Sequence, residues 1–115
     1  MSVAAARNLA LDIAERLREV GPIAVRRFFG GAALVVDGLQ VGFVMKGVLY
    51  LRVDDLSRAK FEASGAAPFT YTGARRKVTV ARYYEVPVEI IDDPGKLRPW
   101  VAEARCAAAA GRNGS

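Results

Sequence analysis

The chain has no histidine, one cysteine, and no apolar run long enough to span a membrane. Each absence excludes something. Without histidine there is no imidazole base, no imidazole metal ligand, and no Ser-His or Cys-His nucleophile. With Cys106 alone, neither an intrachain disulfide nor a thiolate metal cluster can form, which fits a reducing compartment. The first twenty residues carry charges throughout, unlike a signal peptide. The chain is therefore expected to be cytoplasmic, with no membrane contact and no cofactor.

Among the carboxylates, Asp54-Asp55 and Asp92-Asp93 are the only adjacent acid pairs. Each stands where a helix is expected to begin. Acids are favoured there by capping and by the helix dipole, so these pairs need no catalytic role. No phosphate loop is present: Gly30-Gly31 lacks both the spacing of a dinucleotide fingerprint and a following Gly-Lys-Ser/Thr. The composition points away from an enzyme.

What the chain has is apolar material, 52% of 115 residues, enough for one domain with a single core. Residues 26–53 organise it. Asp37-Gly38 between apolar runs is a strong two-residue hairpin signal, and Lys46-Gly47 is a weaker one. Strict pairing through both turns puts Val36 opposite Leu39, Leu34 opposite Val41, Phe43 opposite Tyr50, and Met45 opposite Val48. One face then collects Leu34, Val36, Leu39, Val41, Phe43, Met45, Val48 and Tyr50. The other collects Ala33, Val35, Val44, Leu49, Leu51 and Val53. Both faces are apolar, whereas a meander usually keeps one wet. Either helices and loops cover both sides, or helices cover one and a second subunit part of the other. The second reading predicts a homodimer.

Helical spacing over residues 3–20 puts Leu9, Ile13, Leu17 and Val20 on one side, with Ser2 placed to cap and Gly21-Pro22 to stop. A short strand covers residues 23–29, and Gly30-Gly31 marks a bulge or tight bend where a side chain would clash. Asp54 caps a short helix, residues 55–64, striped with Leu56, Ala59 and Ala63, with Phe61 at its edge. Residues 68–72 and 77–81 alternate as a second hairpin. Residues 83–91 are ambiguous between strand and helix. Asp93 caps a last helix with Pro94 at its first position, running to about residue 109 with Leu97, Trp100, Val101, Ala104 and Ala108 on one side. The expected fold is α+β in two layers: an antiparallel sheet, made of a central meander and a second hairpin, packed with N-terminal, middle and C-terminal helices. Residues 1–110 form one domain and residues 111–115 a flexible tail.

The net charge is +5, and thirteen of the seventeen basic residues are arginine. Arg75-Arg76-Lys77 lies on an expected loop tip, with Arg82, Tyr83 and Tyr84 close in sequence. Arginine can pair with phosphate and tyrosine can stack on bases, so these six residues are the candidate contact for nucleic acid or a partner, against the plainer reading of a solvated turn. Arg26-Arg27 is a second basic pair, and its neighbours Phe28 and Phe29 read as core aromatics.

Arg26-Arg27-Phe28-Phe29-Gly30-Gly31, the Asp-Gly hairpin, and Leu49-Tyr50-Leu51-Arg52-Val53-Asp54 together resemble the N-terminal domain of the TfoX/Sxy competence-regulator family. Phe61-Glu62-Ala63-Ser64-Gly65, Pro68-Phe69-Thr70-Tyr71, Val78-Thr79-Val80 before Tyr83-Tyr84, and Val86-Pro87 before Asp92-Asp93-Pro94 extend the likeness over about residues 5–108. The resemblance implies a two-layer α+β fold and a non-enzymatic role in bacterial transcription regulation. In that role, family members promote DNA-uptake genes together with a cyclic-AMP receptor protein. It supplies no catalytic residues. A chain of 115 residues leaves no room for the family's second, C-terminal domain, so the expectation is a stand-alone interaction module that binds a protein partner, such as transcription machinery, as a homodimer. Direct nucleic-acid binding is the alternative, and a small-ligand binder comes third.

Overall fold

The computed structural model describes residues 3–114. Helix α1, Val3–Arg16, is followed by a 3-10 turn at Arg18–Val20. It buries Ala6, Ala10 and Ile13, with Leu17 buried just past its end; of the expected stripe Ile13 and Leu17 are buried, while Leu9 is half-buried and Ala6 and Ala10 take the inner positions beside them. Asp12 and Arg16 pair across one turn at 3.0 Å. Ser2, expected to cap this helix, lies outside the described residues, as does the side chain of Val20.

Four strands follow as a meander: β1 Ile23–Phe28, β2 Gly31–Val36, β3 Leu39–Met45 and β4 Val48–Arg52. Asp37 and Gly38 have φ of 52° and 77°, and Lys46 and Gly47 have 53° and 80°. Both links therefore keep the two left-handed residues of a type I′ turn, as their sequences predict. After α2, Asp55–Ala63, come β5, Pro68–Thr72, and β6, Lys77–Glu85. The chain ends in the short α3, Val88–Ile91, and the long α4, Pro94–Gly114, which runs past the expected end near residue 109. All six strands join one antiparallel sheet in the order β1-β2-β3-β4-β6-β5. The fold is α+β. Among the described residues, no helix is long and apolar enough to cross a membrane.

The register departs from strict pairing at one place. Val36 faces Leu39, Phe43 faces Tyr50 and Met45 faces Val48, as expected. Leu34, however, faces Gly42, and Val35 faces Gln40, which leaves Val41 as an extra residue in β3. One inserted residue reverses the alternation of everything beyond it. The expected faces are accordingly resorted. Leu34, Val36 and Val41 join Val44, Leu49, Leu51 and Val53 in the core beneath the helices. Phe43, Met45 and Tyr50 join Ala33 and Val35 on the opposite side. Two glycines permit this weave. A Cβ on Gly31 would collide with the Val44 carbonyl oxygen, and one on Gly42 with that of Tyr50. Gly30, by contrast, sits in open space.

Helices α1 and α4 cover the first face, with Leu97, Val101 and Ala104 buried against the sheet. Helix α2 is turned from its expected stripe. Ser57 and Phe61, four apart, point inward, Phe61 packs at 4.6 Å on Trp100, and Leu56 is 87% exposed. The cap sets this rotation. Asp54 accepts from the Ser57 N–H at 2.8 Å, and the Ser57 hydroxyl accepts from the Asp54 N–H at 3.0 Å. That holds Ser57, not its neighbour Leu56, toward the core. Asp93 caps α4 in a similar way, accepting from Gly95 N–H at 3.0 Å.

The bond from the Ser57 N–H holds the Asp54 carboxyl below its ordinary 3.8. A depressed carboxyl stabilises the fold above its unfolded value and loses that contribution as pH falls through the lower folded value. Asp54→Ala is expected to cost about 0.5–2 kcal/mol at neutral pH. Urea unfolding of both proteins should show the difference narrowing as pH is taken below 3.8.

Candidate functional site

On the face away from the helices, the sheet folds on itself. The Phe43 ring touches Phe28 of β1 at 4.8 Å, Tyr50 of β4 at 5.1 Å, Tyr83 of β6 at 5.1 Å and Phe69 of β5 at 4.9 Å. In a flat sheet, β3 and β5 would stand three strand spacings apart, about 14 Å. Rings 4.9 Å apart require a strong curl. Much of it arises where the β5–β6 register breaks. Pro68 faces Tyr84 while Phe69 faces Val80, so Ala81–Tyr83 lie unmatched on β6. The hairpin swings at that break and lays Phe69 against Phe43 and Tyr50.

The curl leaves a hollow of about 480 Å³ lined by Phe28, Phe29, Phe43, Met45, Phe69, Tyr71, Val80 and Tyr83. No lining residue carries a charge. Phe43 is fully buried, while Phe29 and Tyr71 are 83% and 49% exposed. Phe29 sits in the two-residue link between β1 and β2 with φ of 51°. A bulky side chain rarely adopts that conformation. Gln40 donates to the Tyr83 hydroxyl at 3.4 Å, and the Arg52 guanidinium lies 5.9 Å from the Tyr83 ring.

The six residues singled out for contact do not gather into one site. Arg75, Arg76 and Lys77 are exposed at the β5–β6 tip, which is closed by the Gly73 N–H donating to the Arg76 carbonyl at 2.8 Å. Arg82 is exposed, and its carbonyl accepts from Val53 N–H at 2.8 Å. Tyr83 belongs to the hollow. Tyr84, the next residue, faces the helices at 4% exposure, with its ring 6.1 Å from Phe61 and its hydroxyl donating to Glu62 at 3.1 Å. It cannot stack on a ligand. In the motif from Arg26 to Gly31, Phe28 helps line the hollow as a half-buried aromatic. Phe29 departs from the core role expected of it and stands at the rim. Cys106 is exposed on α4. The hollow itself went unread in the sequence. Its signal was a surplus of aromatics at alternate positions: Phe43 on β3, and Phe69 and Tyr71 on β5.

Burial, then the bond to Glu62, pushes the Tyr84 hydroxyl above its ordinary 10.0. Burial, then the charge of Glu85, does the same to Tyr50. A raised acid contributes stability fully below its unfolded value and loses it as pH rises through the folded one. Stability should therefore fall above pH 10.0, and Tyr84→Phe should make that fall shallower in alkaline unfolding curves.

The family model described as TfoX N-terminal domain matches residues 15–108, from the last turn of α1 to well inside α4. Among curated proteins, none matches the chain. The matched span holds the whole sheet, the capped α2 and the Arg-Arg-Phe-Phe-Gly-Gly turn, and the chain belongs to the TfoX N-terminal domain family.

Proposed function

We propose that this domain is a non-enzymatic regulatory module of the cytoplasm that works by holding another protein, and that it does so through the outer edge of β5. The observation behind this reading is a contrast between the two edges of the sheet. Each edge strand pairs on one side only. β1 carries Arg26 and Arg27, the kind of charge that keeps an edge from pairing with strangers. β5, Pro-Phe-Thr-Tyr-Thr, carries no charge and is rich in strand-forming residues. An uncharged edge can take a further strand through main-chain hydrogen bonds, with alternate side chains providing selectivity. A second copy offers the same edge, and two antiparallel β5 strands satisfy a two-fold axis. Kinship with the TfoX domain family, and a sequence with no histidine and a single thiol, support regulation over catalysis. Proteins of the transcription machinery are the further partners that the resemblance to competence regulators suggests.

Light scattering at high protein concentration is expected to give twice the chain mass. A Thr70→Lys, Thr72→Lys variant, which sets like charges opposite one another across the two-fold axis, is expected to return it to the monomer. A monomer mass at every concentration, or a dimer indifferent to the variant, would contradict the proposal.

A second reading rests on the exposure of Arg75, Arg76 and Lys77 together at one hairpin tip. Binding of nucleic acid there would weaken steeply with salt, because neutralised phosphates release counterions. Fluorescence anisotropy with duplex and single-stranded DNA at about 50 and 200 mM salt tests it. On this reading binding is salt-sensitive and is lost when all three residues are changed to Ala. No binding at low salt removes the reading.

A further inference from the structure

We propose that the hollow between the curled sheet and the β5–β6 hairpin is a binding site for a neutral, largely apolar small molecule. The volume of the hollow suits a ligand. Protein interiors pack nearly as densely as organic crystals, with few voids larger than a water. Here the curl leaves about 480 Å³, open to solvent on the side where Phe29 and Tyr71 stay exposed, among eight side chains of the kind that normally close on one another. That lies within the roughly 300–1,000 Å³ range of small-ligand pockets. A dry apolar cavity of about 150 Å³ already accepts benzene. This hollow has room for two or three rings, more than one protruding side chain of a partner would fill.

The chemistry of the lining selects a neutral one. Water held in a cavity needs two to four polar partners, and this lining offers little beyond the hydroxyls of Tyr71 and Tyr83. The Tyr83 hydroxyl is already engaged by Gln40. A charged ligand would lose its hydration with no opposite charge in the wall to replace it. Five aromatic faces from β1, β3, β5 and β6, together with Phe29 at the rim, suit a flat, uncharged molecule.

The site is complete in one chain. The buried Phe43 ring is its floor, Phe28 rises from one edge of the sheet, and Phe69 rises from the other. Phe29 is held at φ 51° and 83% exposed. Backbone strain of that kind tends to persist where a function needs it. The site does not depend on the pairing proposed for the outer edge of β5, so a monomeric protein that binds the probe, or a dimer that does not, separates the two proposals.

The probe is N-phenylnaphthylamine, a neutral three-ring fluorophore, titrated into the full chain beside its sulfonated, anionic analogue. The expected result is saturable binding of one neutral probe per chain, a weaker response to the anion, and a shift of the Met45 methyl resonance. Val80→Trp fills the hollow and should abolish binding, whereas Leu56→Trp, on the exposed side of α2, should leave it intact. Where the filled variant fails to fold, the Met45 resonance of the wild type decides. Absence of saturable binding, binding that survives Val80→Trp, or binding that leaves the Met45 methyl unmoved would overturn the site.

Discussion

The contacts of one ring, Phe43, hold the second face of this domain in shape. The ring is buried on a central strand and meets aromatic partners from four other strands at 4.8–5.1 Å. Clustered aromatic pairs contribute beyond their buried area, about 0.5–1.5 kcal/mol each. Because the partners come from both outer strands, the same contacts that stabilise the face also force the sheet to curl. A two-layer α+β protein commonly leaves one sheet face to solvent. Here that face is turned inward upon itself, and what remains of it is a hollow rather than a wet surface.

The curl depends on two interruptions of regular pairing. The extra residue Val41 in β3 directs Phe43 and Met45 away from the helices while Leu34, Val36 and Val41 stay beneath them. The break at Ala81–Tyr83 in β6 lets the hairpin carry Phe69 back over the sheet. Ordinary strand alternation separates two neighbours. Tyr83 faces the hollow and Tyr84 the helical core, although they adjoin in sequence. The basic tip at Arg75–Lys77 is thus an outgrowth of the hairpin and not part of an aromatic stacking platform.

Features fixed by local chemistry were legible in the sequence. Asp37-Gly38 and Lys46-Gly47 form the turns that positive φ requires, Asp54 caps α2, and Asp93 with Pro94 opens α4. The four-strand meander and the second hairpin follow from alternation. The bulge at Val41 was not legible from alternation: Gly42 inside the strand is a general bulge signal, but it does not say which residue is extra. Pairing with β2 and the close approach of Gly42 to Tyr50 decide it. The orientation of α2 was missed for a related reason. Helical spacing alone gives a stripe from Leu56, while the reciprocal bonds of Asp54 and Ser57 turn Phe61 inward. Of the site, the residues were visible but their convergence was not, because Phe28, Phe43 and Phe69 meet only through two departures from strict register.

The closure of the sheet on Phe43 can be tested directly by nuclear Overhauser spectroscopy on protein with selectively labelled phenylalanine and tyrosine rings. A curled sheet gives cross-peaks from the Phe43 ring to Phe28 and to Phe69, whose centroids lie 4.8 and 4.9 Å away. The cross-peak to Tyr50, a neighbour even in a flat sheet, serves as the internal control. Observation of the Tyr50 contact without the other two would mean that the sheet lies open and that the hollow does not exist.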